Sequence, residues 1–312
     1  MRVIYKKFLR KLSQIAMGEI KTFVFFDLET TGLPLFENNK TRITELTLLA
    51  IQNAHVSLGS IPRVQNKLSI CFNPYRLICS DSERLTGLSN QMLEHMSPFN
   101  QNTVHMINNF LDHHPRPICL VAHNGNRFDY PILQAEIQKT GLKLLDDVVC
   151  IDSLEVFRDL HAEDVTEMNK DIPAEMRDNY DELLCTILDE YERDLESNES
   201  VKRALEVQKI NETTPKKASK EWRVKNFKVL KASQRVSSRK SLNYSTSFKL
   251  VDIYQRLTMN QDPINAHQAE ADVIMLALSA AKLGDRFVTW ANKNHRPFSE
   301  MPPMVPGKKI GT

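Results

Sequence analysis

Five side chains in this 312-residue sequence have types and spacings that could do chemistry together: Asp27, Glu29, Asp129, Asp272 and His267. Asp27 and Glu29 close the apolar run Thr22–Phe26. Strand side chains alternate with period two, so these two acids point to one side, about 6 to 7 Å apart along the chain. Asp129 ends the polar stretch His123–Asp129 behind a second apolar run, and Asp272 leads into a third. If the four converge, each like-charge pair near 5 Å costs about 3 kcal/mol at an effective dielectric of 20, so the cluster needs bound cations. An all-oxygen set without Cys or His selects Mg²⁺, with Mn²⁺ able to substitute, over Zn²⁺. Two such ions about 4 Å apart clamp the attacking and leaving oxygens of a phosphoryl displacement, which makes a phosphodiester the implied substrate.

His267 supplies the remaining role. On a continuous helix its five-residue offset from Asp272 is about 140°, so the two would not share a face. With a helix starting near Gln268, His267 sits instead in the preceding loop. There an imidazole titrating near neutrality can act as general base for an attacking water.

The elements that must position these groups follow from periodicity. Thr22–Phe26, Arg42–Ala54, Lys67–Phe72, Ile118–Ala122 and Val148–Ile151 read as strands, the first three joined by links that suit antiparallel hairpins. A turn at Arg84–Gly87 followed by a short helix through Met92 is expected after Ser82. Helices are expected over Thr103–Asp112, from Tyr130 to Gly141, over Phe248–Leu257 and over Val273–Ala281 up to Gly284. Strands alternating with helices after an antiparallel meander predict an α/β fold, a mixed central sheet with helices on both faces. Ligands of such sheets sit at the carboxyl ends of strands, where Asp27, Glu29 and His123–Asp129 lie.

The chain is long enough for one large or two medium domains, and its bases exceed its acids by only two. Five scattered cysteines without a C-x-x-C pair read as reduced thiols of an intracellular protein. No apolar run approaches the roughly 18 residues of a membrane span. Residues 1–20 form a basic extension: Arg2, Lys6, Lys7, Arg10 and Lys11 occur without an acid among the first sixteen residues. A surface or disordered arm is preferred over a mitochondrial presequence. The domain, expected over 21–160 and 246–300, is interrupted by a charge-split insertion over 161–245. Acids outnumber bases fourteen to three in His161–Ser200, and bases outnumber acids thirteen to three in Val201–Lys240. The acidic half carries a helical apolar face from Met176 to Leu195. The basic half interleaves cations with Trp222 and Phe227, a mixture suited to a phosphate backbone or to a solvated linker. Pro302, Pro303 and Pro306 make 301–312 a loose tail.

The segments FFDLETTGLP, SERLTGLS and LVAHNGNRFDYPILQAE, with the His267-to-Asp272 spacing, closely resemble the TREX three-prime repair exonucleases. These belong to the DnaQ-like DEDDh superfamily on a ribonuclease H-like fold. The resemblance runs from about Lys21 to Asp159 and from Phe248 to Phe298. It implies that Asp27, Glu29, Asp129 and Asp272 hold two Mg²⁺ and that His267 deprotonates the nucleophilic water. It also implies that Glu29 and the Thr30 backbone contact the terminal nucleotide at its 3′ hydroxyl, and that Leu33 and Leu85 wedge against the terminal bases. His123, Arg127, Phe128 and Asp272 complete the implied substrate contacts. Family members release 5′-deoxynucleoside monophosphates from single-stranded or frayed DNA and work as homodimers; the expected location is the nucleus and/or cytoplasm, with the mitochondrion as the alternative through the basic extension.

There are departures. Phe128 stands where the family usually has Tyr, the insertion replaces a short loop, and neither a proline-rich partner motif nor a hydrophobic C-terminal anchor follows, as in the soluble, tail-less type. The expectation is a Mg²⁺-dependent 3′–5′ DNA exonuclease. An exoribonuclease of the same superfamily and a non-catalytic nucleic-acid-binding scaffold are the alternatives, the latter requiring a lost ligand that the sequence retains.

Overall fold

A computed structural model describes residues 18–170, 246–260, 267–308 and 310. The chain divides into one unit of residues 1–163 and 246–312 and another of 164–245, of which only 164–170, the end of a helix, is described. The basic arm and nearly all of the charge-split insertion therefore lie outside the described residues.

The first unit is built on a six-stranded mixed sheet in the order β3-β2-β1-β4-β5-β6. Its strands are β1 (Thr22–Thr30), β2 (Ile43–Gln52), β3 (Asn66–Cys71), β4 (Ile118–Ala122), β5 (Val148–Asp152) and the short β6 (Arg296–Pro297). β1 pairs antiparallel with β2 and parallel with β4. The result is the expected α/β architecture, a mixed central sheet whose second strand runs against its neighbours.

Alternation along β1 creates two cores. Val24, Phe26 and Leu28 face helices α3 (Gln101–Asp112) and α4 (Asp129–Lys139). Phe23 and Phe25 face the opposite layer, which holds α5 (Ser153–Lys170), α6 (Leu250–Thr258), α7 (Ala269–Leu283) and α8 (Asp285–Asn294). Burying both faces of one strand explains its continuous apolar sequence, each large side chain contributing about 2 kcal/mol. Two short helices, α1 (Asn53–Val56) and α2 (Ser80–Thr86), complete the described set.

Three expectations need correction. β1 continues through Asp27–Thr30, because β2 pairs with it as far as Thr30; the acids lie within the strand rather than beyond it. Residues 84–86 belong to α2, which Gly87 ends at φ +75, and the stretch to Met92 is turns. α7 starts at Ala269, a turn ahead of the apolar run Val273–Ala281 and in keeping with the start near Gln268 that the reading of His267 requires, so Asp272 sits in its first turn. The C-terminal residues are not loose: Met301 and Met304 are buried in the first core, and the Met304 amide donates to Pro131 O. Prolines carry no amide donor, so an irregular proline-rich path packs here without orphaning one. Cys71, Cys79, Cys119 and Cys150 are free, and among the described residues no helix is long and apolar enough to cross a membrane.

Candidate active site

Asp27 and Glu29 continue the face of β1 that carries Phe23 and Phe25, so both point toward the layer of α7. Asp272, in the first turn of that helix, meets them: carboxylate oxygens of Asp27, Glu29 and Asp272 lie within 4.8 Å of one another. Asp129 opens α4 and is 2 % exposed, with Oδ1 lacking a hydrogen-bond partner among the described residues. It approaches along β1, where the Leu28 backbone hydrogen-bonds its carboxyl.

The electrostatics register this crowding. Burial, followed by the charges of Asp129, Asp272 and Glu29, holds Asp27 well above the usual carboxylate range. Burial, then Asp272, Glu45 and Asp129, pushes Glu29 up to about 9. Asp129 rises to about 8, mainly through burial, with Asp152 and Asp272 adding to it and backbone hydrogen bonds opposing. Asp272 is also raised by burial, offset in part by the His267 amide and imidazole. Four acids thus share one partly dry volume, and no lysine or arginine ion pair reaches them among the described residues. Such a group stays ionised only with cations supplied from outside.

His267 stands one residue ahead of the α7 N-cap, Gln268, as the spacing requires of a loop residue. Its amide donates to Asp272 Oδ2 at 2.9 Å, its φ is +69, and its side chain is exposed. A left-handed histidine held by the carboxylate it faces is a strained position at the edge of the cluster.

The substrate residues divide. Leu33 and Leu85 are exposed at 56 % and 48 %, on segments that the Thr30 carbonyl ties together by accepting Ser82 Oγ and the Thr31 carbonyl by accepting the Cys79 amide. Thr30 itself is buried, its hydroxyl donating to Gly32 O. Arg127 is exposed, and its guanidinium makes no ion pair among the described residues. Phe128 is the N-cap of α4 and packs against the first core.

His123 departs from expectation. Its Nδ1 bonds Ser153 Oγ at 2.9 Å and its Nε2 bonds Phe248 O at 3.0 Å, leaving neither nitrogen for a substrate. Burial lowers its pKa. It positions the end of β4 against the start of α5 and the segment ahead of α6.

Two acids missed in the sequence belong to the site's frame. Glu45, opposite Glu29 in the β1–β2 register, accepts the Ala269 amide at 3.3 Å and so seats the first residue of α7. Its signal is a lone acid inside an apolar strand. Asp152 accepts the amides of Asn124 and Leu154 on Oδ1 and of Asn126 on Oδ2, shaping the turn that delivers Asp129. Gly125 is required in that turn, since a Cβ would come within 2.7 Å of both Ala122 Cβ and Tyr130.

Over residues 24–182 the chain matches the family model described as Exonuclease (RNase_T). It is 38 % identical over 157 residues to three-prime repair exonuclease 1 of Bos taurus, covering 46 % of this chain and 49 % of that protein. It is 40 % identical over 150 residues to three prime repair exonuclease 2 of Mus musculus, covering 45 % and 62 % respectively. The matched region thus spans 49 % and 62 % of the length of these curated relatives. Among solved structures, the zinc-bound complex of E. coli exonuclease I with single-stranded DNA aligns over 46 % of this chain and 30 % of that one, at 17 % identity and a TM-score of 0.37.

Proposed function

Because the chain belongs to this exonuclease family, and within it to the three-prime repair type, we propose that it removes 5′-deoxynucleoside monophosphates one at a time from the 3′ ends of DNA. The observation that carries the reading is the meeting of Asp27, Glu29 and Asp272 within 4.8 Å, beside a buried Asp129 oxygen with no hydrogen-bond partner among the described residues.

The donor set fits divalent cations of the hard class. Every contributing atom is a carboxylate oxygen, no lysine or arginine ion pair answers the charges among the described residues, and burial makes that state costly without a counter-ion. Asp27, Glu29, Asp129 and Asp272 would hold two Mg²⁺, or Mn²⁺ in their place. When bound, such ions neutralise charge that develops on the attacking and leaving oxygens of a phosphodiester.

The chain's own residues supply the rest. His267, exposed beside Asp272, accepts a proton from the attacking water as its oxygen bonds to phosphorus. The bond from phosphorus to the 3′ oxygen of the preceding nucleotide breaks, which frees a 5′-monophosphate and leaves a 3′ hydroxyl on the shortened strand. Glu29 and the Thr30 backbone select a terminal 3′ hydroxyl, while Leu33 and Leu85 cover the last bases and favour unpaired ends. Arg127, exposed and without an ion pair among the described residues, suits the strand's phosphates. β3 lies at the sheet margin with one side unpaired, which supports a homodimer formed along that edge.

The test is hydrolysis of 3′-labelled single-stranded DNA and RNA of matched sequence by the purified full chain with Mg²⁺. Mononucleotide release from DNA, abolished by chelation and restored by Mg²⁺ or Mn²⁺, is the expected result. Release from RNA alone, or from neither, rejects the reading.

A further inference from the structure

The opposite face of the same sheet end carries a basic groove that the acid centre does not use. A cavity of about 510 Å³ is lined by Lys40, Arg42, Arg76 and Lys139, with Tyr75 and Pro306 among its walls. A neighbouring cavity of about 530 Å³ shares Tyr75 and Arg76 and is lined by the amides of Asn73, Asn90 and Gln91 and by one acid, Glu94. Tyr75 forms the ridge between them, 76 % exposed and held at φ +46.

The groove's charge is not cancelled. Arg42 and Lys139 share one carboxylate, Glu136, and Arg76 pairs with Glu37, while Lys40 has no ion pair among the described residues. With Glu94 of the neighbouring cavity counted, four cations face three carboxylates, which leaves a surplus of one positive charge. A cationic trough, an exposed ring, then a trough of amides with hydrogen-bonding positions to spare is the complement of one nucleotide: phosphate on one side, base stacked on the ridge, base edge beyond.

The location fits a strand already held at the acids. The Thr31 amide donates to Arg42 O, and Arg42 N donates to Thr31 Oγ1, so one lining residue of the groove is tied to the chain two residues past Glu29. Glu37, which anchors Arg76, also accepts Thr31 Oγ1, linking the groove to the loop that presents Leu33. Arg42 nevertheless turns toward Glu136 on α4, whereas Glu29 turns toward α7.

We infer that the Tyr75 ridge with Lys40, Arg42, Arg76 and Lys139 is a second contact site for the substrate strand, holding a nucleotide upstream of the 3′-terminal ones. The identity of the ligand as DNA rests on the exonuclease reading above. Only strands long enough to leave the acid centre and cross the loop of Leu33 can engage it.

The test is anisotropy with 5′-labelled oligodeoxynucleotides of about 4 and about 20 residues, bound by the full chain in chelator so that nothing is cut. Lys40→Glu/Tyr75→Ala is expected to weaken the long strand about tenfold and to flatten its salt dependence by about one unit of slope. Binding and Mg²⁺-dependent hydrolysis of the short strand stay unchanged, and Tyr75→Phe alone behaves as wild type. An unaltered melting temperature, or the same shift with Lys40→Glu alone, keeps misfolding from mimicking the result. Undiminished long-strand affinity overturns the inference, and so does an equal loss on both lengths, which would assign the ridge to the terminal nucleotides. If the wild type cuts neither strand while the length-dependent loss persists, the exonuclease reading fails and the ridge stands as a strand-binding site.

Discussion

A lone buried acid, Glu136, and the four acids of the centre, of which Asp129 is buried and the others half-buried, lie on opposite faces of the β1–β2 end of the sheet, and the protein treats them differently. Glu136, 1 % exposed, is answered by Arg42 Nε at 3.1 Å and Lys139 Nζ at 3.0 Å. Asp27, Glu29, Asp129 and Asp272 are answered by one another. Leaving one carboxylate beneath two cations is ordinary structural accounting, since a charge removed from water must find its opposite within the fold. Leaving four together without any is not: the missing positive charge must come from solution. The comparison separates a carboxylate that holds the molecule together from carboxylates that hold something else.

The sharpest way to break this comparison is to neutralise one acid on each face. Asp27→Asn is expected to lower exonuclease turnover by about 10³-fold or more, while raising the melting temperature of the metal-free protein by about 2 to 6 °C through relief of repulsion. Glu136→Gln should do the reverse. Its partners are partly solvated, which discounts the loss to about 1–2 kcal/mol of stability, with turnover kept within about threefold. Hydrolysis rates and thermal melts on both variants measure it. Melting shifts of the same sign would mean that the two clusters are not different in kind.

His267→Ala comes next in size. Removing a general base is expected to cost about 10²- to 10⁴-fold in turnover, with affinity for single-stranded DNA retained, because the side chain is exposed at the rim. Anisotropy in chelator and single-turnover hydrolysis separate the two quantities. A variant that keeps full turnover removes His267 from the chemistry.

How much of this was legible beforehand depends on what each residue needed. β1, β4 and β5 are apolar runs ending in acids or polar turns, so strand, end and candidate ligand could be read together from local sequence. The helix carrying Asp272 was legible from its apolar run and from Gly284, whereas its start near Gln268 followed only from the role asked of His267, since the apolar run itself begins at Val273. Glu45 was not legible as part of the site, because its neighbour Glu29 is supplied by strand register, a relation between segments. His123 misled in the other direction. Its residue type and motif suggested a substrate contact, but Ser153 and Phe248, thirty and 125 residues away, consume both ring nitrogens. Proline content likewise suggested a tail where Met301 and Met304 close the first core.

A pH series sharpens the comparison with a smaller effect. Acids raised in the folded state contribute stability that is full below their unfolded values and is lost as pH climbs through the folded ones, here about 8 for Asp129 and about 9 for Glu29. His114, His123 and His295 are lowered by burial, so their contribution has the opposite slope and is lost on acidification below the unfolded histidine value, about 6.5. Between about pH 7 and 8 the acids alone should speak, and toward pH 9 the thiols of Cys71, Cys119 and Cys150, raised by burial, add a loss of the same sign. The metal-free protein is expected to lose several degrees of melting temperature across that window, and Mg²⁺ should return more of it at pH 9 than at pH 7. A flat profile in chelator would mean the acids are not held protonated in the fold.

The smallest effect is expected at Glu45, which belongs to neither side of the comparison. It adds negative charge beside Glu29 and Asp272, yet it has a structural partner in the Ala269 amide. Glu45→Gln keeps an oxygen for that amide and removes only the charge. The concentration of Mg²⁺ needed for half-maximal rate should rise about two- to fivefold, with the saturated rate changed less than twofold. Glu45→Leu also removes the acceptor and exposes the start of α7 to fraying, adding a stability loss of about 1 kcal/mol. A Mg²⁺ titration of the rate, with melting curves for both variants, distinguishes charge from cap. If Glu45→Gln instead falls as far as Asp27→Asn, Glu45 is a ligand and the acid centre has five members; if it changes nothing, the helix start is its whole role.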